Sequence, residues 1–581
     1  MIAGMQVMRS MVAFFILVGA VCGPAGKLGA EGTAEPKRPV AAVALDRWLF
    51  VANQRTGSIS VVDWQTMRPV RELPDIGLTL ADICASEDGS LIVAVDREQS
   101  QLVLLERDQD RLTVIDRLAT PPDPVQLVWD GRPGTAVLLC RWARLAVVYH
   151  VGSRGWEQGR RWPLPFSPRE AVFLDHERLV VTDAFGGSVA LLDLDRGVQH
   201  VHSLTGHNLW GLSRAPTGDR VVLNMQRLNS FRPTSYEDIF WGGVMQNVMV
   251  ELRIRDLEQP PGSEPIQETV YFLGRPSEGA GDPTDLLISD DGCTVVALGG
   301  VHQVAARSTP FAPFEYRQVG KRPIALCRPP GSNSVFVVCQ MDDSIHELDL
   351  TSLQVVRRLR LTDPLPDDPV SAGEALFYDA TLALDGWFSC HSCHTEGHTN
   401  GLLNDNFGDD SRGAPKRIPS LLGTAATGPW GWNGRMASLE EQVRKSLTRT
   451  MQGGEPDASV VEAIVAYLNT LAPVPGSRRG IQLDEAQLER GRTIFWQRGC
   501  GDCHQPPEYT SPATYDVGIH DQVGNTHFNP PSLRGVGLRS ALFHDNRAAT
   551  LRDVFVKFGH PDNHSWSERD VEDLLVFLSS L

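Results

Sequence analysis

Between residues 40 and 360 the chain repeats itself with a period near forty, and that period leaves few folds open. Apolar, β-branched runs begin at Phe50, Ile92, Val137, Val180, Val221, Val295 and Phe336, in steps of 42, 45, 43, 41, 74 and 41 residues. Several units add a second run of similar pattern, at 58–63, 188–193 and 344–349. Turn signals such as Glu87-Asp88-Gly89 and Asp290-Asp291-Gly292 lie between the runs. A forty-residue unit of short strands cannot bury its own apolar faces and must stack on its neighbours. That is the mark of a β-propeller, and seven runs predict seven blades over 38–362. The one long step predicts an insertion of roughly thirty residues in the fifth blade, around 230–265. It carries Phe240, Trp241, Met245 and Met249. Such an excursion is expected either to form a lid or partner contact, or to cover its own blade.

After a Pro- and Asp-rich linker at 361–369 the pattern turns helical, and Cys-x-x-Cys-His occurs twice, at Cys390–His394 and Cys500–His504. A single copy could serve zinc or redox chemistry. Two copies in matching frames predict covalent c-type haem, with Cys390, Cys393, Cys500 and Cys503 adding to the vinyl groups and His394 and His504 ligating iron. The flanking sequence is duplicated too. Gly373-Glu-Ala-Leu-Phe377 matches Gly491-Arg-Thr-Ile-Phe495, and Pro419-Ser-Leu-Leu-Gly423 matches Pro531-Ser-Leu-Arg-Gly535. Sixteen residues beyond each proline stands an arginine, Arg435 or Arg547, and Leu439 or Leu551 then opens a helix. The predicted architecture is therefore multidomain: an all-β seven-bladed propeller followed by two mainly α, cytochrome c-like domains at 370–475 and 480–581.

At 581 residues the chain is too long for one core. Its net charge of −17 argues against nucleic acid or an anionic membrane as partner and suits a basic electron-transfer protein. Residues 1–34 read as a secretory signal with a flexible end: Arg9 precedes an apolar run from Met11 to Val21, with cleavage expected after Ala25 or Ala34. No later run is long enough to span a bilayer. Export and c-type haem agree, so a periplasmic protein is expected. Cys84, Cys140, Cys293, Cys327 and Cys339 lie mostly in apolar runs and read as small buried hydrophobes, with a Cys327–Cys339 disulfide allowed.

The repeating half resembles the YVTN-type propellers of exported bacterial proteins. The second half resembles the bacterial dihaem cytochrome c peroxidase family and its MauG-type relatives, over about 210 residues. The resemblance rests on Leu376-Phe377-Tyr378-Asp379, Ser389 to His394, Trp432-Asn433-Gly434-Arg435, Pro531-Ser532-Leu533-Arg534 and Phe543-His544-Asp545. It implies peroxide cleavage at the first haem, electron entry through the second from a small redox protein such as a cytochrome c, and Trp432 as the relay between them. It also implies a calcium ion, whose ligands the sequence does not single out.

Three departures from the family pattern qualify this. The displaceable His expected some sixteen residues past the first motif is missing from Phe407-Gly408-Asp409-Asp410-Ser411, so the His394 iron is expected open or water-bound. His391 and His398 are expected in solvent or near the propionates. The acid–base glutamate is replaced by Gln452, which can orient peroxide without acting as a base, with Glu455 as a stand-in three residues on. No methionine follows Met451, and Phe558 fills the usual ligand slot, so His560 and His564 are the expected sixth ligands of the second haem. Three functions follow: a dihaem oxidoreductase reducing hydrogen peroxide or oxidising a protein side chain, an electron-transfer cytochrome with the propeller as docking module, or a catalytic propeller. The last has only scattered histidines such as His202 and His207 behind it, expected in loops.

Overall fold

The computed structural model describes residues 35–129, 134–152, 155–263, 265–363, 368–408, 410–474, 476, 484–561 and 566–581. The expected signal at 1–34, Asp409 and the candidate ligand His564 lie outside them. Seven four-stranded sheets follow one another at 39–73, 80–119, 124–163, 168–203, 207–272, 283–318 and 323–360, each with its strands paired in chain order. The predicted apolar runs are the second strands, among them Trp48–Asn53, Leu91–Asp96 and Ser334–Cys339. They are apolar on both faces because each is packed between two neighbouring blades. The outermost strands, such as Arg68–Leu73, meet water and are charged.

Neighbouring innermost strands are laced by side chains that accept backbone N–H groups from the next blade. Asp82 accepts from Leu127 at 3.0 Å, Gln126 from Ala171 at 2.8 Å, Glu170 from Leu212 at 2.8 Å and Asp285 from Leu326 at 2.6 Å. The ring closes without strand exchange. Leu49, Val51 and Val62 of the first blade pack on Phe336, Val338 and Ile345 of the seventh, and Asp343 accepts the N–H groups of Lys37 and Arg38 at 2.8 Å each. The five propeller cysteines are free thiols, so no Cys327–Cys339 bond forms.

The fifth-blade insertion is a correction to both sequence readings. It contains the helix Tyr236–Phe240, capped by Ser235. Ile239, Val244 and Met245 turn inward and share one apolar core with Phe377, Tyr378, Trp387 and Phe388 of the first helical unit. Burying each such side chain stabilises the contact by about 1.5–3 kcal/mol, so blade and unit form one body rather than two tethered modules. Trp241 stays exposed on the outer side.

In each helical unit an opening helix crosses a closing one, Pro369–Phe377 over Ala458–Leu468 and Glu485–Gln497 over Glu568–Ser579. The duplicated glycines mark the crossings. A Cβ at Gly373 would fall 1.8 Å from the Ala463 carbonyl oxygen, and one at Gly491 2.0 Å from that of Asp573. Only glycine permits backbones this close.

Candidate functional site

The first Cys-x-x-Cys-His segment lies at the mouth of the propeller. Its single helical turn, Cys390–Cys393, is closed by a capping box in which Ser392 Oγ accepts the Ser389 N–H at 2.8 Å. Both serine hydroxyls then donate to the carboxylate of Asp282, a buried propeller residue. Burial pushes the Asp282 carboxyl up from its ordinary value, while Ser389, Ser392 and Arg322 pull against that rise. From the fifth blade His207 Nε2–H donates to the Ser392 carbonyl at 2.8 Å, and Asn247 donates to that of Trp387 at 2.8 Å. The Arg322 guanidinium lies 3.2 Å from the Tyr378 ring centre. Burial opposes charge on Glu396, but Arg141 and Arg169 overcome it and hold that carboxyl well below the usual range.

Several sequence readings are corrected here. His207 is no loop residue: it lies in the strand His207–Arg214 and is fully buried. His202 is also in a strand and bonds the Leu257 carbonyl at 3.0 Å. His391 and His398, expected in solvent or near the propionates, are 2% and 3% exposed, so the solvent alternative falls and the other stays open. His391 packs on Tyr378 at 4.9 Å, and His398 on Phe185 at 4.7 Å and Trp142 at 5.4 Å.

The two motif histidines are held alike. His394 Nδ1–H donates to the Pro419 carbonyl at 2.9 Å, and His504 Nδ1–H to that of Tyr509 at 3.0 Å. Each bond fixes one tautomer and leaves Nε2 with its lone pair free. Burial pushes both imidazoles down to about 4, so both are neutral, the form that binds a metal. The second motif forms the single helical turn Cys500–Cys503. Its Gly501 lies beneath Trp496, which is half exposed. His560 lies near enough that its charge adds to the lowering at His504, and it packs on Phe543 at 5.8 Å. Phe558 packs on Phe543 at 5.7 Å.

Between the units, Trp432 donates from Nε1 to the Arg417 carbonyl at 2.7 Å and meets the His544 ring edge-on at 6.2 Å. His544 in turn stacks on Phe528 at 4.3 Å. The seam is tied by Arg417 N–H to the His544 carbonyl at 2.6 Å, by Asn529 N–H to that of Trp432 at 2.8 Å, and by Lys416 with Asp521 at 3.0 Å. Arg417 and Arg539 have no carboxylate within 4.0 Å among the described residues, and each has a buried Nε without a partner. Burial pushes them down to about 9 and about 10. Guanidinium groups with a buried Nε left over and no carboxylate beside them, two neutral imidazoles each with Nε2 free, and two Cys pairs fit a group that brings both iron and carboxylates, which is haem with its propionates.

Residues 367–473 match the di-haem cytochrome c peroxidase family. The match covers the first haem unit and implies haem as cofactor. The chain is similar to methylamine utilization protein MauG of Methylorubrum extorquens, 26% identical over 38% of this chain and 79% of that protein. It is also similar to cytochrome c551 peroxidase of Nitrosomonas europaea, 22% identical over 39% of this chain and 83% of that protein. A third relative is the hydrazine synthase gamma subunit of Kuenenia stuttgartiensis, 26% identical over 38% of this chain and 79% of its own length.

The helix Leu439–Lys445 widens into a π-helix at Ser446–Thr450, a local form frequent at functional sites. Gln452 follows with φ +50°, and its amide donates to Thr234 of the insertion at 2.9 Å and to Arg449 at 2.8 Å. Both amide hydrogens are thereby used, and Oε1 alone is left as an acceptor. Glu455 is 68% exposed at its side chain and paired with Arg444 on the surface, so it is not held as a base. Among the described residues no three His, Cys, Asp or Glu side chains gather as a metal site, so the expected calcium has no such ligand set. No described helix is long and apolar enough to cross a membrane.

Proposed function

We propose that this chain is a periplasmic dihaem c-type oxidoreductase that reduces hydrogen peroxide at the His394 haem, with electrons passed through the His504 haem from a small redox protein such as a cytochrome c. The observation that carries the reading is the matched pair of neutral imidazoles, one in each unit, each with Nδ1 locked on a carbonyl and Nε2 free, with Trp432 and His544 meeting at the seam between the units. When bound, haem supplies an iron that takes peroxide and exchanges electrons.

Around that group the chain's own residues hold and orient. His394 and His504 would hold the two irons through Nε2, and the Pro419 and Tyr509 carbonyls raise their basicity. Cys390, Cys393, Cys500 and Cys503 anchor the two cofactors covalently. Trp432, fixed by the Arg417 carbonyl, would relay electrons between units, and His560 would be the nitrogen donor held toward the second haem, with His564 outside the described residues. Gln452 orients peroxide through Oε1. Reduction of one peroxide to two waters takes two electrons and two protons; Gln452 cannot act as a base and Glu455 is held on the surface, so the protons are taken up from solvent.

Gln452 in place of a glutamate also favours a second reading, the MauG-type oxidation of a protein side chain, in which peroxide supplies oxidising equivalents and a protein residue supplies the electrons. The test is stopped-flow mixing of the oxidised holoprotein with hydrogen peroxide, with and without reduced cytochrome c. Peroxide consumed in step with cytochrome oxidation supports the leading reading. Reaction with peroxide but no cytochrome oxidation supports the second. No reaction with peroxide leaves an electron-transfer cytochrome and overturns both.

A further inference from the structure

One turn of the propeller touches both haem units. Arg141, Trp142, Ala143 and Arg144 join the strands Gly134–Cys140 and Leu145–Gly152 of the third blade. Arg141 is spent on Glu396 of the first unit and on Asp123 of its own blade. Trp142 packs against His398 of the first unit. Arg144 reaches the second unit, where its Nη2 donates to the Leu538 carbonyl at 2.6 Å.

Arg144 makes no ion pair there, although the charge of Asp183 reaches it. No carboxylate lies within 4.0 Å of it among the described residues, and its Nε is buried without a partner. Arg417 of the first unit and Arg539 of the second are in the same condition. Three chain segments, one from each part of the protein, thus bring to the surroundings of His398 a guanidinium with no ion-pair partner among the described residues and a buried Nε left over. Like charges with unspent donors, half or wholly removed from water, are costly unless an anion shares the space. The planar fork of arginine fits a carboxylate, and the net charge of −17 gives no general reason for cations to collect here.

We propose that Arg144 is a haem-binding residue supplied by the propeller, holding propionate carboxylates between the two units together with Arg417 and Arg539. The proposal rests on the dihaem reading above and extends it: the propeller completes the cofactor site instead of serving as an appended docking module. A cation beside a propionate favours the reduced iron, because oxidation adds a positive charge nearby.

The test uses the full-length holoprotein and its Arg144→Gln and Arg144→Lys variants, with haem counted by the pyridine haemochrome assay and potentials measured by spectroelectrochemical titration. With two haems per chain in all three proteins, Arg144→Gln is expected to raise the oxidised-to-reduced ratio of one haem about tenfold at fixed solution potential, and Arg144→Lys to restore most of it. Two haems with unchanged potentials in Arg144→Gln overturn the proposal and leave the dihaem reading standing. A wild-type melting temperature that rises with inorganic phosphate or succinate, at potentials the variant does not alter, assigns the arginines to a free anion and also overturns it. A wild-type chain that carries no haem sinks both.

Discussion

The indole of Trp432 and the imidazole of His544 stand at equivalent positions of the duplicated units, thirteen residues beyond Pro419 and Pro531, and meet edge-on with ring centres 6.2 Å apart. The duplication therefore brings its own copies face to face at the seam. Trp432 has its N–H satisfied by a carbonyl, whereas His544 is 1% exposed with neither ring nitrogen bonded. Burial pushes His544 down to about 4, so it is a neutral ring at the seam.

Replacing Trp432 by Phe keeps a ring against His544 and removes the bond to Arg417. The expected cost in stability is about 1 kcal/mol, read by denaturant unfolding. The larger expected effect is kinetic: kcat for cytochrome-dependent peroxide reduction falls while the KM for peroxide holds. An unchanged kcat would remove Trp432 from the electron path.

Asp282→Ala leaves the Ser389 and Ser392 hydroxyls without their shared acceptor in a buried place. The expected loss is about 3 kcal/mol, seen as a lower melting temperature of the holoprotein. Asp282→Glu, which keeps a carboxylate, is expected to recover only part of it. If Asp282→Ala melts with the wild type, the propeller does not grip the first motif through this residue.

The carboxylates that lace the propeller predict a pH dependence. Burial, then repulsion from Asp285, pushes Glu170 up to about 8 from an ordinary 4.5, and burial pushes Asp82 and Asp285 up to about 6. Between the unfolded and folded values the native state holds a proton that the unfolded chain has lost, so stability falls as pH rises through that window. The melting temperature is expected to decline from pH 5 to about 8. Glu170→Gln should flatten the decline above pH 6, and a wild-type curve already flat there would contradict the assignment.

His560→Ala tests the second haem. The expected change in the ferric electron paramagnetic resonance spectrum is loss of one low-spin signal and gain of a high-spin one. The His394 haem is expected to be high-spin already, since no histidine follows the first motif where the family places its displaceable ligand. An unaltered low-spin signal in His560→Ala would point to another ligand.

The blades were readable because each second strand is apolar on both faces for a local reason, its burial between two neighbours. The helix crossings were readable as duplicated glycines for a similar reason, since a Cβ at Gly373 or Gly491 would strike a carbonyl. His202 and His207 were misread as loop residues, and the burial of His391 and His398 was left open, because a lone histidine gives no local sign of what buries it. The insertion was misread because its apolar side, Ile239, Val244 and Met245, faces a partner far along the chain. Glu455 looked like a base only because its pairing with Arg444 needs the turn that separates them.

The sequence by itself determined the number of blades, the two haem motifs and the matched frames of the two units, because periodicity and spacing are properties of neighbouring residues. Only the tertiary structure decided that the propeller closes over the first motif. Asp282 meets Ser389 across 107 residues and Arg141 meets Glu396 across 255. Such bonds depend on where the chain returns in space, and no local pattern of residues records that.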